Sequence, residues 1–324
     1  MDYEAAGTTA RVREWQYLTG ADFAAMDRAK TVVTVSCSPL EVHGPHLPVV
    51  ADNHEAEGIT LRALELLSER DPAIEFLHLP PIYVATDVVP QPGSLAFRGS
   101  TIRAVLEDLG RSLAKQGFRH VWVGSFHGGP RHFVNIEQAC ANVNRDHGIR
   151  MVSVFSLLIA ELTNGSSSLE SVLGELEGTS TDRLRGDTHG GAVETSLLLH
   201  LLGERVREHR ALPQRTVDRD LATREEPPLE DHSLLGIVRG FREKLRYFQR
   251  ESYAGDPAHA TPELGERMLE VLAGHAADAL QALWEERLDP ADCHSPLWKL
   301  RWLFTVPVFG AVFERAIGYR SRVF

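Results

Sequence analysis

Short apolar runs and longer amphipathic segments alternate along this chain. Four runs rich in β-branched and other apolar residues are typical of buried strands, and they span residues 31–37, 75–79, 120–125 and 150–156. Pro80 and Pro81 are expected to end the second run, because proline has no amide hydrogen to offer a neighbouring strand.

Helical spacing of apolar residues fills the intervals between these runs. We expect helices near residues 21–29, 55–70, 101–116, 133–144 and 194–203. Ser100 or Thr101 is a suitable N-cap for the third helix, and Gly117 is suited to end it. The loop before that helix, residues 83–100, has a length that usually indicates a function. This alternation favours an α/β fold, in which ligands bind where strands end.

Composition narrows the class of protein. A chain of 324 residues with 43% apolar residues can bury a sizeable core, as one large α/β domain or two smaller ones. A formal charge of −11 argues against nucleic acid as a partner. Cys37, Cys140 and Cys293 have neither a disulfide nor a metal-knuckle spacing, and the N-terminus lacks the apolar core of a signal peptide. We therefore expect a reducing, cytoplasmic compartment.

Residues suited to metal chemistry gather directly after the first strand, in the stretch Ser38 to Asn53 (SPLEVHGPHLPVVADN). Glu41 and His43 are two residues apart, so in an extended chain their side chains point to one side. Asp52 follows beyond a proline-containing loop. Two carboxylates and an imidazole suit zinc, manganese or iron, and Asp52 could bridge two ions. The alternative is structural, with a solvated Glu41, a turn histidine and Asp52 as a helix N-cap.

Two later stretches also place histidine and glycine beside an apolar element, and the second of them adds an acid. The strand at 120–125 runs into His127 and two glycines, which let the backbone approach a ligand closely. In DTHGGAVETS, His189 precedes two glycines and Glu194 begins a helix. Each could be structural on its own, with Glu194 as a first-turn acid favoured by the helix dipole. Three such turns in one chain indicate a functional cluster.

These stretches together resemble the creatininase family of metal-dependent amidohydrolases. The family motifs run approximately E-x-H-G-P-H-L-P with an Asp shortly after, G-H-G-G-N, and H-A-G-x-x-E-T-S. The chain is similar to them in EVHGPHLP with Asp52, in SFHGGP and in HGGAVETS. A fourth stretch, YAGDPAHATPELG, is similar to the family's G-D-P-x-x-A-T-x-x-x-G. The resemblance covers about residues 30–285.

The resemblance implies a three-layer αβα sandwich with a mainly parallel central sheet, assembled into a homo-oligomer such as a hexamer. It implies one or two divalent ions, Zn, Mn or Fe, with Asp52 as the bridge; the implied ligands are Glu41, His43, Asp52, His127 and Glu194. His189 is implied as the catalytic proton shuttle to the leaving nitrogen, since histidine titrates near neutrality. Gly129 stands where creatinine hydrolases of the family carry a glutamate, so we expect a substrate other than creatinine.

By this resemblance we expect a metal-dependent amidohydrolase that cleaves a cyclic or non-peptide C–N amide bond of a small molecule with a metal-activated water. Three alternatives stay open. The chain could be a peptide-trimming or deformylating hydrolase, a biosynthetic enzyme with a non-hydrolytic metal-dependent reaction, or a binding scaffold that has lost catalysis.

Three segments lie outside what the motifs explain. A Ser- and Gly-rich stretch at residues 163–183 is expected to be a mobile surface excursion. Residues 225–251 either shape the pocket or form a surface helix with a basic face. The third segment is an apolar C-terminal extension, residues 291–324, which we separate from a metal-hydrolase domain of residues 1–290.

The extension contains an uncharged run from Trp302 to Phe313, which is too short to span a bilayer. Pro307 and Gly310 are expected to break this run. We favour an oligomer contact or a lid over a partner subunit. Interfacial anchoring to a membrane, with Lys299 and Arg301 facing lipid head groups, is the alternative.

Overall fold

The computed structural model describes residues 12–164, 187–217 and 234–318. Five strands in this part of the chain form one parallel sheet: β1 (Val12–Glu14), β2 (Thr31–Cys37), β3 (Glu75–Ile82), β4 (His120–Gly124) and β5 (Arg150–Ser153). Their order across the sheet is β1-β3-β2-β4-β5. The central strand β2 and its neighbour β4 are buried along their whole length.

Helices connect the strands and cover the sheet. The α-helices are α1 (Gly20–Ala25), α2 (Ala51–Arg70), α3 (Gly99–Lys115), α4 (Pro130–His147), α5 (Val154–Asn164), α6 (Ala192–Leu202), α7 (Leu234–Phe248), α8 (Pro262–Trp284), α9 (Trp302–Thr305) and α10 (Pro307–Ile317). Every interval between the predicted strands that showed helical spacing therefore contains a helix.

Successive side chains along the strands belong alternately to two separate apolar cores, one on each face of the sheet. Val32 and Trp122 point to a core that includes residues of α2, α5 and α8. Val33 and Val121, one position along each strand, point to a core with α3 and α4 on the other face. Because both faces are covered, the strands read as continuous apolar runs. The expected three-layer αβα sandwich with a parallel sheet is confirmed.

Two strand ends differ from the expectation. β3 continues through Pro80 and Pro81 to Ile82. The pairing of β3 with β1 ends at His78, before the two prolines, and the pairing of β3 with β2 shifts its register near them. Neither neighbouring strand therefore requires a hydrogen bond from the prolines, which have no amide hydrogen. β5 ends at Ser153, and the residues that were expected to complete it begin α5 instead.

The start of α3 also differs from the expectation. Arg98 is its N-cap and makes no side-chain capping bond, so Ser100 and Thr101 lie within the first turn. Gly117 follows the helix end with φ of 93°, a left-handed conformation that glycine adopts without a steric penalty. Residues 165–183 of the expected surface excursion lie outside the described residues.

The C-terminal extension folds back onto its own chain. Leu303 and Phe304 of α9 are buried against Phe133 and Val134 of α4. The uncharged run is interrupted before Pro307, as expected, but Gly310 lies inside α10 and does not break it. No helix in the part of the chain that the structure describes is long and apolar enough to cross a membrane.

Candidate metal centre

Six side chains expected to act together meet at the carboxyl ends of β2 and β4. Glu41 and His43 lie in the loop after β2, and Asp52 lies in the first turn of α2, not at its N-cap. His127 lies in the loop after β4, and Glu194 in the first turn of α6. The sixth is His189, whose ring stacks on that of His43 with centroids 4.0 Å apart.

Asp52 lies between two histidines and faces each with a different oxygen. Its Oδ1 is 3.6 Å from Nδ1 of His127, and its Oδ2 is 3.5 Å from Nε2 of His43. Glu41 Oε2 joins the first half at 3.0 Å from His127 Nδ1. Glu194 Oε2 joins the second half at 3.7 Å from His43 Nε2. The cluster therefore has two halves that share one carboxylate.

Hydrogen bonds on the far side of each imidazole orient the two rings. His127 Nε2 donates to the backbone carbonyl of Thr86 at 3.0 Å, and His43 Nδ1 donates to the carbonyl of Glu41 at 3.0 Å. A carbonyl oxygen can only accept, so in the neutral ring the nitrogen that faces Asp52 carries a lone pair. A bond of this kind behind the ring is the usual arrangement of a metal-ligating histidine.

The electrostatics of the cluster favour an added positive charge. Burial alone lowers the pKa of His43, but Asp52 and Glu194 outweigh it and raise that pKa well above its ordinary value. The pKa of His127 is likewise raised by Glu41 and Asp52 against the effect of burial. Burial raises the pKa of Glu41, yet His127 and His189 bring it below its ordinary value. The field of the carboxylates thus favours positive charge at the two histidines.

Unsatisfied buried atoms test whether a metal ion fits this site. Glu41 Oε2, His43 Nε2 and Asp52 Oδ2 are buried and make no hydrogen bond. Buried polar atoms without a partner are costly, and all three point into the cluster. Glu41, Asp52 and His127 each offer one donor atom, and these three atoms lie within 4.8 Å of one another. The same holds for one donor atom each of Glu41, His43 and His189. The donors are oxygens and imidazole nitrogens, which suit zinc or manganese.

The loop between β3 and α3 supports the cluster with backbone groups that carry no sequence signature. Besides the Thr86 carbonyl, the backbone N–H of Val89 donates to Glu41 Oε1. Asp87, between these two residues, has φ of 64°, an uncommon left-handed conformation for a residue other than glycine. Its carboxylate accepts hydrogen bonds from the Arg131 side chain and backbone N–H. Only the loop's length had indicated a function.

His189 is held by the fourth motif through the backbone. His189 N–H donates to the Ala254 carbonyl at 3.1 Å, and Ala254 N–H donates to the His189 carbonyl at 2.7 Å. The imidazole Nε2 donates to the carbonyl of Val42 at 2.9 Å, so Nδ1 is the nitrogen left to accept a proton. Phe248 of α7 packs edge-on against the ring, 5.3 Å between centroids.

Two acidic residues near the cluster were not predicted from the sequence. Asp187 accepts a hydrogen bond from the backbone N–H of Ala192 and so caps the start of α6, and burial raises its pKa to about 7. Glu55 lies one turn after Asp52 in α2, with both carboxylate oxygens buried and without a hydrogen-bond partner. Burial and the charges of Glu194 and Asp52 raise the pKa of Glu55 well above its ordinary value.

A cavity of about 200 Å³ opens over the cluster. Its floor contains Glu41, Asp52, His127 and Glu194, and His189 lies on its side. Part of its wall comes from α7, within the segment at residues 225–251 whose role the sequence left open. The C-terminal extension contributes Phe304.

Known proteins share this fold. The sequence profile of the creatininase family, described as creatinine amidohydrolase, matches residues 16–280. Among solved structures, a creatininase variant complexed with creatine is 20% identical with a TM-score of 0.58, covering 85% of this chain and 99% of that chain. A creatininase variant of Zn-Zn type is 20% identical, with a TM-score of 0.57 and coverage of 83% and 96%. A manganese creatininase is 22% identical, with a TM-score of 0.55 and coverage of 83% and 97%. No curated protein matches the sequence.

Proposed function

Because the chain belongs to the creatininase family, we propose that it is a metal-dependent amidohydrolase that cleaves a cyclic or other non-peptide C–N amide bond of a small molecule. Membership of this family identifies the protein as a hydrolase that acts on such bonds. The observation that carries the proposal is the placement of Asp52, whose two oxygens face Nε2 of His43 and Nδ1 of His127, with Glu194 and Glu41 beside them. One carboxylate with an imidazole nitrogen and a second carboxylate on each side is an arrangement suited to two cations.

The proposed ligand set follows from the two halves of the cluster. Glu41 and His127 would hold one ion and His43 and Glu194 the other, with Asp52 shared between them. Zinc, manganese or iron would suit these donors, and zinc and manganese occur in creatininases of the same fold. When bound, such ions polarise a carbonyl and make water more acidic.

The chain's own residues supply positioning and proton transfer. Thr86 and Val89 orient His127 and Glu41 through the backbone, which keeps the donor atoms aimed at the shared carboxylate. His189 accepts a proton at Nδ1 and releases it to the leaving nitrogen, while the Nε2 bond to Val42 keeps the ring in place.

The substrate is proposed to be a small molecule other than creatinine. One related structure is complexed with creatine, which supports the size class. Gly129 occupies the position two residues after His127, and a Cβ there would meet His127 Nε2 at 2.6 Å. The backbone therefore passes so close to His127 that a glutamate would require this loop to move. A cytoplasmic location and a homo-oligomer remain predictions from the sequence.

Elemental mass spectrometry of the purified protein tests the proposal. The wild type should contain about one or two equivalents of zinc, manganese or iron. His127→Ala and Glu194→Gln should each lose part of it, because each removes one donor from a different half of the cluster. His200→Ala is the matched control, since His200 is exposed on α6 and should leave the content unchanged. A wild type that stays metal-free after incubation with all three ions would overturn the proposal.

A further inference from the structure

The cavity over the cluster has a wall whose chemistry is unlike that of its floor. The floor consists of the acidic and histidine side chains described above. The wall contains four apolar side chains, Phe241, Leu245 and Phe248 of α7 and Phe304 of α9. A substrate amide at the floor therefore lies beside an apolar surface.

The three α7 residues form one continuous face. They are spaced four and three residues apart, which places them on the same side of a helix. All three are only half-buried, and they line a concave surface, where apolar side chains usually bind a ligand. Phe248 also touches the ring of His189, so the apolar face begins directly beside the reacting position.

One positive charge stands in this wall without a counter-charge. Lys244 lines the cavity and is exposed, and in the described parts of the chain it forms no ion pair with a carboxylate. Arg131, the other cation of the wall, is already paired with Asp87 and Glu314. The acids of the floor are the proposed metal ligands. Lys244 is therefore the charge that remains for a substrate.

We propose that the substrate is an amide that carries an aromatic or branched aliphatic group and, separately, an anionic group. The apolar group packs against Phe241, Leu245, Phe248 and Phe304, and the anion pairs with Lys244. This inference rests on the proposed function, because the metal cluster places the amide at the floor. A compact polar substrate would leave the apolar wall and Lys244 without contacts.

Three probes separate the two features of the substrate. N-Benzoylglycine has a ring, an amide and a carboxylate, N-benzoylglycinamide lacks the charge, and N-acetylglycine lacks the ring. Their dissociation constants are measured by calorimetry on the zinc-loaded full chain. Removal of the ring should weaken binding about tenfold or more, because it removes the apolar surface that the wall buries.

Lys244→Gln should weaken the binding of N-benzoylglycine about three- to fivefold, as expected for an exposed ion pair, and leave the binding of N-benzoylglycinamide unchanged. Lys115→Gln, an exposed lysine at the end of α3, is the matched control and should change neither. The carboxylate could instead bind the metal ion. In that case Lys244→Gln would not alter the preference for the charged probe, and the assignment of Lys244 would be overturned.

The outcomes distinguish this inference from the proposed function. Zinc-loaded protein that binds all three probes equally, or none of them, overturns the inference while the metal site stands. A chain that cannot be loaded with metal overturns the proposed function itself. Phe248→Leu provides a second check on the wall, because it keeps an apolar side chain at this position for folding. It should weaken the binding of the two benzoyl probes and leave the binding of N-acetylglycine unchanged.

Discussion

Glu314 of α10 forms an ion pair with Arg131 of α4, although the two residues are far apart in the sequence. Arg131 is 8% exposed and also binds the carboxylate of Asp87. Asp87 belongs to the loop whose backbone forms hydrogen bonds with His127 and Glu41. The C-terminal extension is therefore connected to the proposed metal ligands by a series of charged and backbone contacts within the same chain.

Glu314→Gln should loosen this connection. The substitution removes the charge of one carboxylate that pairs with the buried guanidinium of Arg131, and we expect it to lower the free energy of unfolding by about 1–3 kcal/mol. We also expect weaker zinc binding, because the loop that holds His127 and Glu41 loses part of its anchor. Urea unfolding and a zinc titration measure the two effects. Arg315→Ala, at an exposed neighbouring position, is the control, and equal behaviour of both variants would contradict the connection.

Metal removal should destabilise the fold. The ligands come from loops and helices far apart in the chain, so only the folded state presents them together. With free zinc at about 100 times its dissociation constant, the stabilisation should be about 2.7 kcal/mol. Thermal unfolding before and after chelation measures it. His127→Ala should show a smaller shift on adding zinc, and a wild type without any shift would argue against a metal ion in this site.

Gly265→Ala should destabilise the protein by about 2–3 kcal/mol, as overpacking does in a rigid contact. A Cβ at Gly265 in α8 would lie 1.9 Å from the backbone carbonyl oxygen of Ser196 in α6. Helix α6 also carries Glu194, so the site should be disturbed as well. Gly274→Ala in the same helix meets nothing within 4 Å and should be neutral or stabilising by up to about 1 kcal/mol. Equal urea midpoints for the two variants would refute the close packing.

Protonation of His120 should destabilise the fold in mild acid. His120 is 6% exposed, packs against the ring of Trp284 with centroids 4.6 Å apart, and has its pKa lowered to about 4 by burial and then by Arg150 and Arg119. The unfolded chain, where the pKa is about 6.5, binds this proton first. Stability is therefore lost as the pH falls through the interval between the two values.

The contribution of His120 between about pH 7 and pH 5 should be about 2 kcal/mol. His120→Gln should flatten the pH dependence of the unfolding free energy by that amount, whatever its effect on stability at neutral pH. His200→Gln, at an exposed position, should not alter the slope. If wild type and His120→Gln show the same slope in urea unfolding, the histidine is not held neutral in the fold.

The sequence was informative wherever the relevant contacts are local. The run at residues 31–37 is a strand over its whole predicted length, because a buried parallel strand needs an unbroken apolar run. Glu41, His43 and Asp52 could be grouped from their spacing alone. His127, His189 and Glu194 joined them because each follows or begins an apolar element, and such ends meet at one edge of a parallel sheet.

Contacts between distant parts of the chain could not be read in this way. Nothing in the sequence near Glu314 indicates Arg131, and nothing near Phe304 indicates the cavity that it lines. For the segment that contains Lys244, shaping the pocket was only one of two alternatives. Periodicity reports which face of an element is apolar but not which other element will cover it, since that choice depends on how all the helices pack. The residues of the floor could thus be predicted from motifs, whereas its supporting loop and the apolar wall of the cavity arise from the packing of helices far apart in the chain.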